Sequence, residues 1–195
     1  EALAMVDETI YAIINDWLEK AYLKGRKSTV FFCVSVLHAN KMALFLKNQG
    51  INAACVTAET PMDERKYILD GFEEGRVSAL CNVAVLTEGW DAPRTDCIAL
   101  LRPTKSLGLY VQICGRGMRP WPNKDDCLLL DYGGNMGRHG CIDVARPERN
   151  KKDDEATDEE KIWICDECLS VNDIDDKKCR ECEALKPLPP VSEEL

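Results

Sequence analysis

The chain lacks any apolar run long enough to cross a bilayer, which takes about 20 residues. Its start, Glu1 to Tyr11, lacks the basic-then-apolar layout of a secretory signal. These two absences predict a soluble, cytoplasmic protein with no membrane partner. Phosphate-handling motifs are missing as well: there is no G-x-x-x-x-G-K-[ST] loop and no D-E-x-[HD] acidic pair for Mg²⁺. By itself, then, the chain is not expected to hydrolyse a nucleoside triphosphate. A basic surplus is also absent, since the formal charge is -9. Residues 151–195 hold 7 basic and 15 acidic side chains, against 18 and 19 in residues 1–150. The acidity therefore belongs to the tail, and any nucleic acid is expected on the larger part through local basic or backbone sites.

What is present is 195 residues, 45% of them hydrophobic, enough for one domain with a sizeable core and one small module. Of the eleven cysteines, Cys33, Cys55, Cys81, Cys97, Cys114, Cys127 and Cys141 are scattered singly, mostly among apolar residues. They read as reduced small hydrophobes rather than a disulfide framework. The other four form one pair of C-x-x-C knuckles near the C-terminus.

Apolar residues at helical spacing (Met5, Ile10, Ile13, Ile14, Trp17, Leu18, Ala21) predict an amphipathic helix over Leu3 to Leu23, ended near Gly25. Alternation follows. Strands are expected at Thr29 to Val36, Asn52 to Val56, Ser78 to Cys81, Asp96 to Leu100 and Cys127 to Asp131. Helices are expected at Ala39 to Asn48, Met62 to Glu74 and Ser106 to Gly117. Continuously apolar strands between helices imply an α/β fold, a mostly parallel sheet covered on both faces, with ligands beyond the C-terminal strand ends. The expected organisation is a connector helix over 1–24, the α/β domain over 25–149, a charged linker over 150–161, a cysteine module over 162–186 and an extended tail over 187–195.

Two segments at strand ends carry chemistry. One is Leu86-Thr87-Glu88-Gly89-Trp90-Asp91-Ala92-Pro93; the other is Gln112-Ile113-Cys114-Gly115-Arg116-Gly117-Met118-Arg119-Pro120, the pattern Q-x-x-G-R-x-x-R. Three residues apart, Arg116 and Arg119 would leave one face of a helix end and could converge on a polyanion. Planar bidentate cations are what phosphoryl transfer uses where charge builds on the γ-phosphate. Alone, an R-x-x-R pair reads as surface arginines matched to nearby acids. Combined with Gln112, Gly115 and the upstream T-E-G-x-D-x-P segment, the functional reading prevails.

The order of these segments resembles motifs IV, V and VI of superfamily 2 helicases: FFCVSVLHANKMALFL, CNVAVLTEGWDAP and QICGRGMRP, within about residues 29–145. Asp131-Tyr132-Gly133-Gly134-Asn135 followed by Arg138-His139-Gly140 is similar to the closing segment of the RadD group of DNA-repair helicases and related phage enzymes. The resemblance implies a RecA-like second motor domain, working with a first domain that holds ATP and Mg²⁺. Arg119 would be the arginine finger, Arg116 a second γ-phosphate contact, and Gln112 part of the nucleotide-positioning network. Gly89 and Asp91 would approach the nucleotide, although Asp91 could equally cap a turn. Ser35, His38, Thr57 and Asn82 would lie along a strand of nucleic acid, single-stranded DNA or a duplex junction. A hydroxyl after a strand is more often an ordinary turn or cap. DNA and RNA are not separated by contacts to phosphate, and a non-catalytic adaptor with the same fold is the competing reading.

Cys165, Cys168, Cys179 and Cys182, in the order W-x-C-x2-C-x3-N-x6-C-x2-C, have the spacing of a four-thiolate Zn²⁺ site. That order resembles the Ran-binding-protein type of zinc finger, which implies binding of single-stranded RNA or ubiquitin. This copy has Asp173-Ile174 where ubiquitin binders have Thr-Phe, and its surroundings are acidic. It is therefore expected to be structural or a docking point for a protein partner.

Overall fold

The computed structural model describes residues 2–86, 90–142, 162–165, 167, 171–173, 176–179 and 182–186. Gly89 and Cys168, two of the residues singled out above, lie outside the described residues, as do the expected linker and tail.

Helix α1 (Ala2–Lys20) is followed by a 3-10 turn (Tyr22–Lys24) that Gly25 ends in the left-handed region at φ 95. Five parallel strands follow: β1 (Thr29–Phe32), β2 (Ala53–Val56), β3 (Ala79–Asn82), β4 (Cys97–Leu100) and β5 (Leu128–Asp131). They are ordered β2-β3-β1-β4-β5. Between them run α2 (Val36–Asn48), α3 (Met62–Glu73) and α4 (Leu107–Gly117). A short helix, α5 (Asn135–His139), closes the domain. This is a RecA-like α/β fold. The chain leaves β1 toward β2 and β3 on one side and continues to β4 and β5 on the other, so a crevice opens between the ends of β1 and β4.

Strand alternation sends successive side chains to two buried faces. Phe31, Cys81, Ala99 and Leu130 join Ile10, Ile14 and Trp17 of α1 and Met42 and Leu46 of α2 in one cluster. Val30, Phe32, Leu80, Ile98 and Leu100 meet Phe72 of α3, Trp90, and Tyr110 and Ile113 of α4 in the other. Helix α1 is thus built into the core. Trp17 Nε1 donates to Thr29 Oγ1 at 3.0 Å, and Tyr132 OH donates to Asp16 Oδ2 at 2.8 Å.

Two boundaries differ from the sequence reading for local reasons. The run expected as strand through Val36 stops at Phe32, because Ser35 caps a helix that starts at Val36 rather than Ala39. Arg119, expected on the end of α4, lies past that helix, beyond the C-cap Met118. Of the scattered cysteines, Cys33, Cys81, Cys97 and Cys114 are buried, Cys55 and Cys127 are half-buried and Cys141 is exposed. Burial pushes the Cys55 thiol up to about 11 and the Cys97 thiol to about 12, so both are protonated fillers of the core.

Candidate nucleotide-facing edge and cysteine cluster

The sheet register aligns the functional segments. Phe32 pairs with Asn82 and Leu100, Val56 with Asn82, and Leu100 with Asp131, so all five strands end in one row. Thr57, Asn82 and the segment carrying Ser35 therefore sit along one edge of the sheet.

Their side chains are occupied within the domain. Ser35 accepts from His38 N at 3.2 Å, the N-cap bond of α2. Thr57 Oγ1 accepts from Glu59 N at 3.3 Å, Thr57 N donates to Thr60 Oγ1 at 2.9 Å, and Thr57 O accepts from Arg65 Nη2 at 2.8 Å. Asn82 is fully buried and donates through Nδ2 to Phe31 O at 3.0 Å, while its buried Oδ1 has no partner. His38 is 7% exposed, its Nδ1 has no hydrogen-bond partner, and burial pulls its pKa down to about 4. Near neutral pH it offers a phosphate no charge.

The arginines are gathered at the other segment. Trp90 anchors the loop after β3: it is 7% exposed and packs against Phe72 with ring centroids 5.8 Å apart. Its carbonyl accepts from Arg116 Nη1, and Asp91 next to it pairs with Arg119 Nη1. The two arginines thus converge, as their spacing suggests, but on this chain's own loop. The Arg119–Asp91 pair is 40% and 63% exposed at its two side chains, the range in which an ion pair contributes about 0–1 kcal/mol. Such a pair orients Arg119 while leaving it open to a stronger anion. Gln112 is exposed one helical turn before Arg116. Gly115 has nothing within 4 Å of where a Cβ would stand, whereas at Gly117 a Cβ would lie 2.3 Å from Cys127 Sγ.

The sequence reading missed three supports. Trp90 was visible only as a motif letter, and its burial is what fixes Asp91. Lys124, which joins the two motif segments, stands in an unremarkable acidic stretch. The closing segment forms α5, where Asn135 donates to Arg102 O and Asp131 Oδ1, both at 3.0 Å, and accepts from Thr104 N at 2.7 Å. Arg138 and His139 both reach Thr104 O, at 3.0 and 2.7 Å. Gly133 is required there, since a Cβ would meet the Arg102 and Pro103 backbone at 2.8 Å.

In the cysteine module, β6 (Ile162–Ile164) and β7 (Val171–Asp173) pair antiparallel, with Trp163 opposite Asn172. Trp163 Nε1 donates to Asp176 O at 2.9 Å. The sulfurs of Cys165, Cys179 and Cys182 lie within 4.8 Å of one another, with Cys165 Sγ and Cys182 Sγ 3.5 Å apart. Sulfurs bound at about 2.3 Å around a tetrahedral metal stand roughly 3.8 Å apart, so the three fit a shared metal ion.

Fold and site define a RecA-like domain that presents two arginines beside an acidic loop at the end of α4, next to the start of β5. The chain belongs to the helicase conserved C-terminal domain family, which it matches over residues 11–120. It is 40% identical over 122 residues to the putative ATP-dependent helicase IRC3 of Saccharomyces cerevisiae, covering 63% of this chain and 18% of that protein. A 51.5 kDa protein of a Lactococcus phage is 30% identical over 182 residues, covering 93% of this chain and 37% of the phage protein. Among solved structures, the fragment of a putative HsdR subunit of a type I restriction enzyme from Vibrio vulnificus superimposes with a TM-score of 0.57 at 26% identity, over 72% of this chain and 30% of that one. The chain thus spans well under half the length of these relatives. No helix among the described residues is long and apolar enough to cross a membrane. A Schizosaccharomyces pombe relative, 38% identical over 135 residues, is named a mitochondrial helicase.

Proposed function

We propose that this chain is the second motor domain of an ATP-dependent helicase or translocase acting on DNA, in repair or recombination. The observation that carries the reading is the convergence of Arg116 and Arg119 on the Trp90–Asp91 loop, at the edge of the domain where α4 ends. Arg119 is the arginine finger. When ATP and Mg²⁺ held by a first RecA-like domain come against this edge, the γ-phosphate, with more charge than one carboxylate, draws Arg119 from its exposed pair with Asp91. Arg116 stays on the Trp90 carbonyl and serves as the second γ-phosphate contact. Gln112, exposed one turn before Arg116, belongs to the nucleotide-positioning network, Gly89 and Asp91 border the nucleotide, and Asp91, once released, accepts from a ribose hydroxyl.

The strand of nucleic acid crosses the row formed by the ends of β1, β2 and β3. Because Ser35, Thr57 and Asn82 are engaged in caps, turns and the core, this reading assigns them to shaping the backbone N–H groups that meet phosphates. Zn²⁺ held by Cys165, Cys168, Cys179 and Cys182 builds the small module, whose acidic surface suits a protein partner better than DNA.

The test is ATP hydrolysis by the full-length protein with and without single-stranded DNA. Arg119→Ala should lower the stimulated turnover by roughly 10³-fold while changing ATP affinity much less. Unchanged turnover would remove Arg119 from the active site. Stimulation by RNA alone would move the substrate to RNA, and no hydrolysis with either nucleic acid would favour a non-catalytic adaptor.

A further inference from the structure

One side chain ties the two halves of the candidate site together. Lys124 Nζ donates to Gly117 O at 2.6 Å, to Arg119 O at 2.8 Å and to Pro93 O at 2.9 Å. The first two carbonyls belong to the end of α4 and the residue bearing the candidate finger. The third lies two residues after Asp91. An ammonium has three donors and no acceptor, so three converging carbonyls use all its hydrogen-bonding capacity, and its charge stands against the negative end of the helix.

The chain spends local structure on delivering this ammonium. Trp121-Pro122-Asn123-Lys124 is a tight turn, with Lys124 N bonded to Trp121 O at 3.1 Å and Asn123 in the left-handed region at φ 62. That turn reverses the chain beneath α4 and aims the lysine back at the segment it has just left. Lys124 is half-buried, and burial lowers its pKa from the ordinary lysine value. Nothing about this arrangement is needed to cover the core, since Trp121, Pro122 and Asn123 are exposed.

We propose that Lys124 is a positioning residue for ATP hydrolysis: by clamping the Pro93, Gly117 and Arg119 carbonyls it sets where Arg119 stands relative to Asp91. The inference rests on the motor reading above. Without the clamp, among the described residues the exposed Arg119–Asp91 pair is what ties the segment after Met118 to the loop after β3 by a side chain, and that segment loses its fixed distance from the loop. A finger displaced by about 1 Å costs on the order of 10²-fold in rate.

The experiment compares Lys124→Gln, Lys124→Arg, Arg119→Ala and the Lys124→Gln/Arg119→Ala double variant in the full-length protein. It reads DNA-stimulated kcat, KM for ATP and thermal melting. Lys124→Gln should lower kcat by about 10- to 100-fold with KM changed less than about threefold, and should add almost nothing to the loss already caused by Arg119→Ala. A merely structural lysine predicts the opposite, losses that multiply in the double variant, and that result overturns the proposal. Should Lys124→Gln fail to fold, Lys124→Arg decides. It keeps the charge at the helix end, but its planar fork cannot reach three carbonyls from one point. Reduced kcat at an unchanged melting temperature supports the clamp, and wild-type kcat overturns it. Full turnover in Arg119→Ala sinks the finger assignment on which the clamp rests, no hydrolysis by the wild-type protein sinks the motor reading, and loss in Arg119→Ala beside full turnover in Lys124→Gln sinks the clamp alone.

Discussion

His38 shows how burial decides what a residue can do. The imidazole follows Ser35 into the first turn of α2 and is excluded from water with an unpartnered Nδ1. Its pKa falls to about 4 in the folded protein, against about 6.5 in an unfolded chain. Between those values the unfolded state binds a proton that the folded state refuses, so stability falls as pH falls. Urea unfolding of this chain should therefore lose up to about 1.4 kcal/mol per pH unit between pH 6 and 4.5 through this one group. His38→Gln should remove that share of the slope, and an identical slope in the variant would locate the acid sensitivity elsewhere. The same neutrality makes a charge-based contact between His38 and nucleic acid a poor expectation near neutral pH.

Of the three glycines in helix α4, Gly115 and Gly117 have opposite meanings. At Gly117 an added Cβ would press on Cys127 Sγ at 2.3 Å and Ile98 Cδ1 at 2.9 Å, which locks the helix end down on β4 and the start of β5. Gly117→Ala should lower stability by about 1–3 kcal/mol, seen as a lower urea midpoint at unchanged slope. At Gly115 the Cβ would meet nothing, so Gly115→Ala should raise stability by about 0.5–1 kcal/mol through helix propensity. If that more stable variant loses turnover in the full-length protein, the space at Gly115 serves something across the cleft rather than this domain. Equal destabilisation by the two substitutions would contradict the packing described for α4.

At this scale the sequence was most informative where one residue type has one job. Pro61, Gly25, Gly50 and Gly75 punctuate the chain as their chemistry requires, and the continuous apolar strands announced a sheet covered on both faces. Strand ends were harder, because Val34 and Val36 favour extended chain while Ser35 starts a helix between them. The two arginines were legible as a motif, though the sequence placed both on the end of α4 and Arg119 lies past it. Their partners were not: the Trp90 carbonyl is backbone, and the acceptors of Lys124 are three carbonyls that no pattern of side chains reveals. Helix α5 was recognisable only as a motif, since five residues give too little periodicity to read.

For the whole molecule, a large sheet domain and a small cysteine module obey different stabilising forces. The sheet domain has two apolar clusters, one on each face of the sheet. Among the described residues, the module's buried apolar group is Trp163, Cys165 and Cys179, with Cys182 and Ala184 against them, which is too little to offset the entropy of ordering them. With the proposed Zn²⁺ on its cysteines, the metal's affinity for thiolates supplies the folding free energy the module needs. Removing the metal with a strong chelator should abolish the near-ultraviolet signal of Trp163 and leave the urea midpoint of the sheet domain within a few tenths of a molar. Cys165→Ser should do the same without chelator. If the sheet domain unfolds with the metal, the two parts share one cooperative core. If a chelator releases no zinc and changes nothing, the cysteine cluster is held by its own hairpin.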